Sequence, residues 1–372
     1  MIDLFFPGPD AELLKQSLEK LLGQHWGPAQ RRETEARDGF SPVIWRELAQ
    51  AGILASFHPE DCGGLGGSGH LLRIVMEAAG RHRVLGPLID TLVVAPLLLA
   101  EARNGHELVA SAGAGMDVCV LAWAEPSRRN DLSASAVRAS IHGTAVEISG
   151  DKVAVPYAHR ATQLLVTAAF GDGQALVLVP AIADGVSIVS RPQFDGSQVG
   201  DVSFDHVRLD RGSIVLEGEA ASHALERAMT LSMLAQCAET VGLMERLLAL
   251  TLDHVKVRRQ FGSTIGSNQA IQHRIVDMFA ACQLASAYVQ AVMAMVDGPR
   301  AAPDPQVACQ VKLHTDRAAR TVAHEAVQMH GGMGVSEEHE VGAYLRRVIA
   351  IAQTYADEFD LLSTYREAHR VP

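Results

Sequence analysis

The chain has 372 residues, 48% of them hydrophobic and 20% charged, enough for two or three packed domains with a large core. Its net charge of −11 and pI near 5.8 argue against nucleic acid as the main partner, so any anionic ligand must be held by a local basic cluster. Five scattered cysteines (Cys62, Cys119, Cys237, Cys282, Cys309), with no CxxC pair, fit free thiols in a reducing cytoplasm rather than disulfides or zinc.

The first residues, MIDLFFPGPDAELLKQ, lack the basic and apolar regions of a signal peptide. Residues 1–117 read as a helical domain. DAELLKQSLEKLLGQHW has leucines at helical spacing behind Asp10 as N-cap, and SPVIWRELAQAGI opens with Ser41 as N-cap and Pro42 at the first helical position. HPEDCGGLGGSGH reads as a plain loop, since no strand precedes it and no Lys-Ser/Thr follows. The run LGPLIDTLVVAPLLLAEA is broken by Asp90 and Pro96, so it reads as a core helix and not a membrane span.

From residue 118 to 220 the pattern changes to short β-branched runs such as VCVLAWA, TQLLVTAAF and QALVLVP, punctuated by Gly, Asp and Pro. This is the signature of a small antiparallel β domain. Residues 221–372 are helical again. Ala221 to Val257 holds one glycine and no proline, and a helix there spans roughly 55 Å. A second covers about Gln269 to Val296. A third runs from Asp304 as N-cap to Gly331 as its stop, and a shorter one follows from about Gln353. The expected fold is therefore α+β: an N-terminal helical domain, a middle antiparallel β domain and a C-terminal four-helix bundle.

VRRQFGSTIGSNQAIQHRIVDM (257–278) and AVQMHGGMG (326–334) make this unusual order specific. Both resemble signatures of the acyl-CoA dehydrogenase family of flavoenzymes. WAEPSRRND resembles that family's flavin-side loop, GDKVAVPYAHRATQLLVTA its following strand pair, and WRELAQAGILASFHPEDCGGLGG its N-terminal domain. Within the family, the long helix and the C-terminus look most like the small subunit of pimeloyl-CoA-type dehydrogenases and of related sterol side-chain enzymes.

The resemblance implies FAD as cofactor. Arg258, Gln260, Phe261, Gln269, Gln328, Gly331 and Gly332 match positions that receive its pyrophosphate and adenine half from a neighbouring subunit. The residue types suit that role: a guanidinium pairs with pyrophosphate, amides bond ribose or adenine edges, and paired glycines allow close backbone approach. The resemblance also implies an acyl-CoA substrate, an electron-transfer flavoprotein as partner, a cytoplasmic location, and a homo- or hetero-tetramer that could include a larger paralogous subunit. HEAVQMH (324–330) is not a zinc-protease helix, because Gln328 stands where HExxH needs histidine. No metal is expected, nor a GxSxG nucleophile.

Family chemistry requires a carboxylate that removes the α-proton of the thioester. Here the chain departs from the pattern. The usual base position after Tyr355 is Ala356, and a minority position early in the long helix matches Ser232. Glu239, two turns beyond Ser232 on the same helix, is the first substitute, with Asp357 and Glu358 as rivals. A non-catalytic subunit that completes the FAD site of a larger paralogue is the alternative. Gln236 and Glu239 stand where relatives place small or apolar residues, which points to a polar or bulky acyl group, to a disused pocket, or to a bond between helices.

Overall fold

The computed structural model describes residues 9–100, 102, 104–126, 128, 131–132, 135–260, 262–298, 301, 303–337 and 339–368. Its first part holds helices α1 (Pro9–His25), α2 (Pro28–Arg37), α3 (Pro42–Gln50), α4 (Gly69–His82), α5 (Ala95–Leu99) and α6 (Gly105–Gly113). Ser41 caps α3 as its sequence implies, accepting from the Ile44 N–H at 3.4 Å. The first helix begins at Pro9, so Asp10 lies within it rather than ahead of it. The apolar run 90–99 is buried throughout but is not one regular α-helix. Asp90–Val94 forms a π-helical turn that leads into α5. Pro96 cannot donate to the carbonyl four residues before it, and the widened turn precedes it.

Eight strands form one sheet: β1 (Cys119–Ala122), β2 (Arg138–His142), β3 (Ala145–Pro156), β4 (Gln163–Phe170), β5 (Gly173–Pro180), β6 (Val186–Pro192), β7 (Gln198–Asp210) and β8 (Ile214–Glu217). Their order is β6-β7-β3-β2-β4-β5-β8, with β1 also beside β4. The sheet is mixed rather than purely antiparallel. Strand β1 runs parallel to β4, from Cys119↔Gln163 to Ala122↔Val166, and β2 touches β4 in parallel at Arg138↔Ala169. A parallel pair needs a long connection, and residues 123–162 supply it. The β3–β7 ladder shifts register between Lys152 and Val155, and Ala154 in that bulge takes φ 53.

The last part opens with α7 (Gly218–Val257), a helix of 40 residues that starts three positions earlier than expected. A two-strand hairpin, β9 (Arg259–Gln260) and β10 (Ser263–Thr264), turns the chain into α8 (Gln269–Met293), and α9 (Pro305–His330) follows with Asp304 capping the Gln306 N–H. The short helix expected from about Gln353 is α11 (Glu358–Ala368), and a helix that was not expected, α10 (Glu340–Ile351), precedes it. The break between them has a local cause. Tyr355 takes φ 66, and the Asp357 carboxylate accepts from the Phe359 and Asp360 N–H groups, starting a new helix.

Every residue of α7 from 228 to 244 is buried, which makes it the axis of the molecule. It crosses α4 at two glycines. A Cβ on Gly80 would meet the Glu239 carbonyl oxygen at 1.9 Å, and one on Gly242 would meet that of Glu77 at the same distance. This close approach fixes the part of α7 that carries Gln236 and Glu239.

Candidate active site and cofactor half-site

A cavity of about 260 Å³ lies where the π-helical turn, the sheet, α7 and α10 meet. Asp90 lines it from the first, Ala154 from the second with Trp123 just past β1, Gln236 and Glu239 from the third, and Tyr355 lines it beyond α10. Asp90 and Glu239 are the two carboxylates among its described lining residues.

Their surroundings differ. Glu239 accepts from Arg347 Nε at 2.7 Å, and Arg347 Nη1 donates to Asp195 at 2.9 Å, so one guanidinium joins α10 to α7 and to the β6–β7 loop. Burial pushes the Glu239 carboxyl up against the opposing pull of Arg347. Asp90 faces no cation among the described residues. One of its oxygens accepts from the Leu121 N–H at 3.0 Å, and burial raises its carboxyl to about 7.

Gln236 is oriented by a second buried charge. The Lys312 ammonium, wholly buried on α9, donates to Gln236 Oε1 at 3.0 Å, to the Ile351 carbonyl at 3.3 Å, and pairs with Asp316 at 3.0 Å. An ammonium only donates, so Oε1 must face it and the amide Nε2 must face away. That Nε2 has no hydrogen-bond partner among the described residues, and Gln236 lines the cavity.

The two base positions of the resembled family converge on Tyr355. Ser232 on α7 lies against the Tyr355 phenol, and Ala356 follows it directly. Neither supplies a carboxylate. Ala356 opens onto a second, larger groove of about 630 Å³ with Met229, Met233 and Phe359. Asp357 is held at the start of α11, and Glu358 accepts from Arg317 at 2.6 Å on the exposed side. Neither rival lines the cavity that holds Asp90.

The WAEPSRRND loop contributes Trp123 and Ala124 to the cavity wall; Ser127, Arg129 and Asn130 lie outside the described residues. Its Glu125 turns inward to the sheet, where it accepts from Lys152 Nζ at 2.6 Å and the Ala136 N–H at 2.7 Å.

The positions matched to the cofactor's adenine side gather at one end of the bundle. Helix α7 ends there, α8 begins there and α9 returns there. A 2.5 Å Arg274–Glu325 bond ties α8 to α9, and the His254 and His330 rings stack at 4.3 Å between α7 and α9. Arg258, Gln260, Gln269, Gln328, Gly331 and Gly332 are all exposed at this end, whereas Phe261 lies outside the described residues. Gly331 has φ 59, a conformation that favours glycine, and a Cβ on it or on Gly332 would meet no atom within 4 Å. This end therefore offers an open glycine surface and an arginine, Arg258, that makes no ion pair among the described residues. His324 is exposed and His330 buried, its Nδ1 bonded to the Ala326 carbonyl at 2.8 Å, so the two do not converge as metal ligands.

Asp90 escaped the sequence reading because its apolar run looked like plain core. The available signal was a lone carboxylate inside that run, which must be satisfied or functional once buried.

Family models for the N-terminal and C-terminal domains of acyl-CoA dehydrogenases match residues 8–103 and 222–353. The chain is 28% identical to the acyl-CoA dehydrogenase IpdE2 of Mycobacterium tuberculosis over 93% of both proteins. It is likewise 28% identical to FadE27 of that organism, over 85% of this chain and 84% of the relative. Among solved structures, it matches a chain of the ChsE4-ChsE5 complex from Mycobacterium tuberculosis with TM-score 0.87 and 25% identity, covering 99% of each. A variant of the Tcur3481-Tcur3483 steroid ACAD matches with TM-score 0.86 and 26% identity, over 96% of this chain and 97% of that one.

Proposed function

The chain belongs to the acyl-CoA dehydrogenase family, and from that premise we propose that it is an FAD-dependent subunit that binds and dehydrogenates an acyl-CoA thioester between its α- and β-carbons. The observation that carries the reading is the cavity itself. It brings buried acid and amide groups together with the Trp123–Ala124 loop and Tyr355, the segments that resemble the family's flavin side and base side.

Arg258, Gln260, Gln269, Gln328 and the Gly331–Gly332 backbone would hold the pyrophosphate and adenine half of FAD reaching in from a neighbouring subunit, and the family resemblance adds Phe261 to that set. Bound there, FAD would supply the acceptor for the β-hydrogen as hydride, with an electron-transfer flavoprotein as the onward acceptor. The chain's own residues bind the thioester, exclude water from it and move its α-proton. Relatives whose names record two-component complexes, ChsE4-ChsE5 and Tcur3481-Tcur3483, support a heteromer, and the second favours a steroid-derived acyl group.

Helix α8 supports an assembly. Among the described residues it is the one helix long and apolar enough to cross a membrane. It packs on α7 and α9, yet turns Val276, Phe279 and Leu284 outward, more than half exposed. Covering that face with a second subunit gives the dimer of dimers that shared flavin half-sites require. The five free cysteines suit a reducing cytoplasm.

A second reading has its own observation. With Ser232 and Ala356 at the two family base positions, this chain could complete FAD binding for a larger paralogue that carries the base. Purification alone and with that paralogue separates the two, by FAD per chain and by acyl-CoA oxidation with a dye acceptor. Oxidation by the isolated chain supports the first reading. Oxidation only by the mixed complex, surviving every substitution in this chain's cavity, supports the second.

A further inference from the structure

Three facts about the cavity belong together. Asp90 is a buried carboxylate that faces no cation among the described residues, and one of its oxygens is already occupied by the Leu121 N–H. Gln236 presents a donor amide that Lys312 prevents from turning round. Both line one cavity with Tyr355, beside which the family's two base positions are empty of carboxylates. The remaining lining carboxylate, Glu239, spends its charge on Arg347.

We propose that Asp90 and Gln236 are the enolising pair of this cavity. The Asp90 carboxylate takes the α-proton of the bound acyl thioester, and Gln236 Nε2 donates to the thioester oxygen as negative charge develops there. The α-carbon–hydrogen bond breaks and the proton goes to the Asp90 oxygen not held by Leu121. The electron pair enters the α-carbon–carbonyl-carbon bond, and the carbonyl π pair moves onto oxygen. Reversal returns a proton from Asp90 to carbon, so the step balances without an oxidant. The assignment rests on the first functional reading above, that this chain binds the thioester.

The chemistry matches the setting. A general base serves best when its proton affinity lies close to the working pH, and burial brings Asp90 there. A donor fixed in advance stabilises an oxyanion more than a mobile one. Lys312 is then a positioning residue that acts through Gln236. The π-helical turn under Asp90 is a local feature that recurs at functional sites.

The test is exchange of α-hydrogen for deuterium in butyryl-CoA and cyclohexylacetyl-CoA, incubated in deuterated water with the FAD-loaded protein and its co-purified partner and read by mass spectrometry. Asp90→Asn should lower the exchange rate about 10²–10⁴-fold, with FAD content and thioester binding retained, and Asp90→Glu should restore part of it. Gln236→Leu should lower it about 10²–10³-fold while keeping the wild-type pH profile. Lys312→Met should lower the rate without abolishing it. Exchange unchanged in Asp90→Asn overturns the assignment and leaves the functional reading standing. No exchange in the wild-type protein overturns both.

Discussion

Replacing Asp90 by asparagine should make the protein more stable, and increasingly so as pH rises. In the unfolded chain this carboxyl titrates near its ordinary 3.8, and in the folded protein burial lifts it to about 7. Between those values the folded state keeps a proton that the unfolded state releases. Stability at this site is therefore complete below the unfolded value and lost as pH climbs through the folded one. At 1.36 kcal/mol per pH unit, the wild type loses roughly 2–3 kcal/mol between about pH 5 and about pH 8 that the variant keeps. Asparagine retains an oxygen for the Leu121 N–H, so the bond to β1 survives the change. Urea unfolding of both proteins at the two pH values measures the difference, and all other titrating groups cancel between them. Parallel pH dependences would refute the placement of Asp90 as a buried carboxyl without a cation.

Arg258→Ala should weaken FAD retention about ten- to a hundredfold, as expected for a charge-assisted pair worth roughly 1.5–3 kcal/mol, with little change in unfolding midpoint. Loss of the yellow colour on gel filtration reads this out. Leu284→Asp, on the exposed face of α8, should leave the protomer folded and split the assembly, measured by light scattering. Arg347→Met should cost roughly 3–5 kcal/mol in urea unfolding because Glu239 and Asp195 lose their buried cation, and adding Glu239→Gln should recover part of it.

The three-part order of helices, strands and helices was legible because period is a local property. Leucines at helical spacing, β-branched runs and the Asp304-Pro305 start each read directly onto an element. The parallel placement of β1 was not legible, since it depends on how a long crossover lays one strand beside another. The break at Tyr355 was missed for a related reason: nothing in QTYADE reveals a left-handed tyrosine until the helices on both sides are placed. The positions matched to the cofactor were named from short motifs, and their gathering at one end of the bundle follows from three antiparallel helices. The candidate active-site cavity was the harder part. Glu239 was visible as a polar residue on an apolar helix, but its partner Arg347 lies 108 residues away in sequence. The same holds for Lys312, 76 residues from Gln236 and carrying no sign that it would fix an amide. Long-range pairing decides which of several acids is free to act, and periodicity does not encode it.

On the proposed function, this chain holds FAD and passes to it the electrons of an acyl-CoA thioester bound in its own cavity. Anaerobic addition of acyl-CoA to the purified, FAD-loaded assembly tests it directly, with the visible flavin absorbance followed in the wild type and in Asp90→Asn. The flavin band should bleach in the wild type and persist in the variant. A band that bleaches equally in both would show that Asp90 is not the proton-removing group, and a wild-type assembly that carries no FAD would contradict the claim outright.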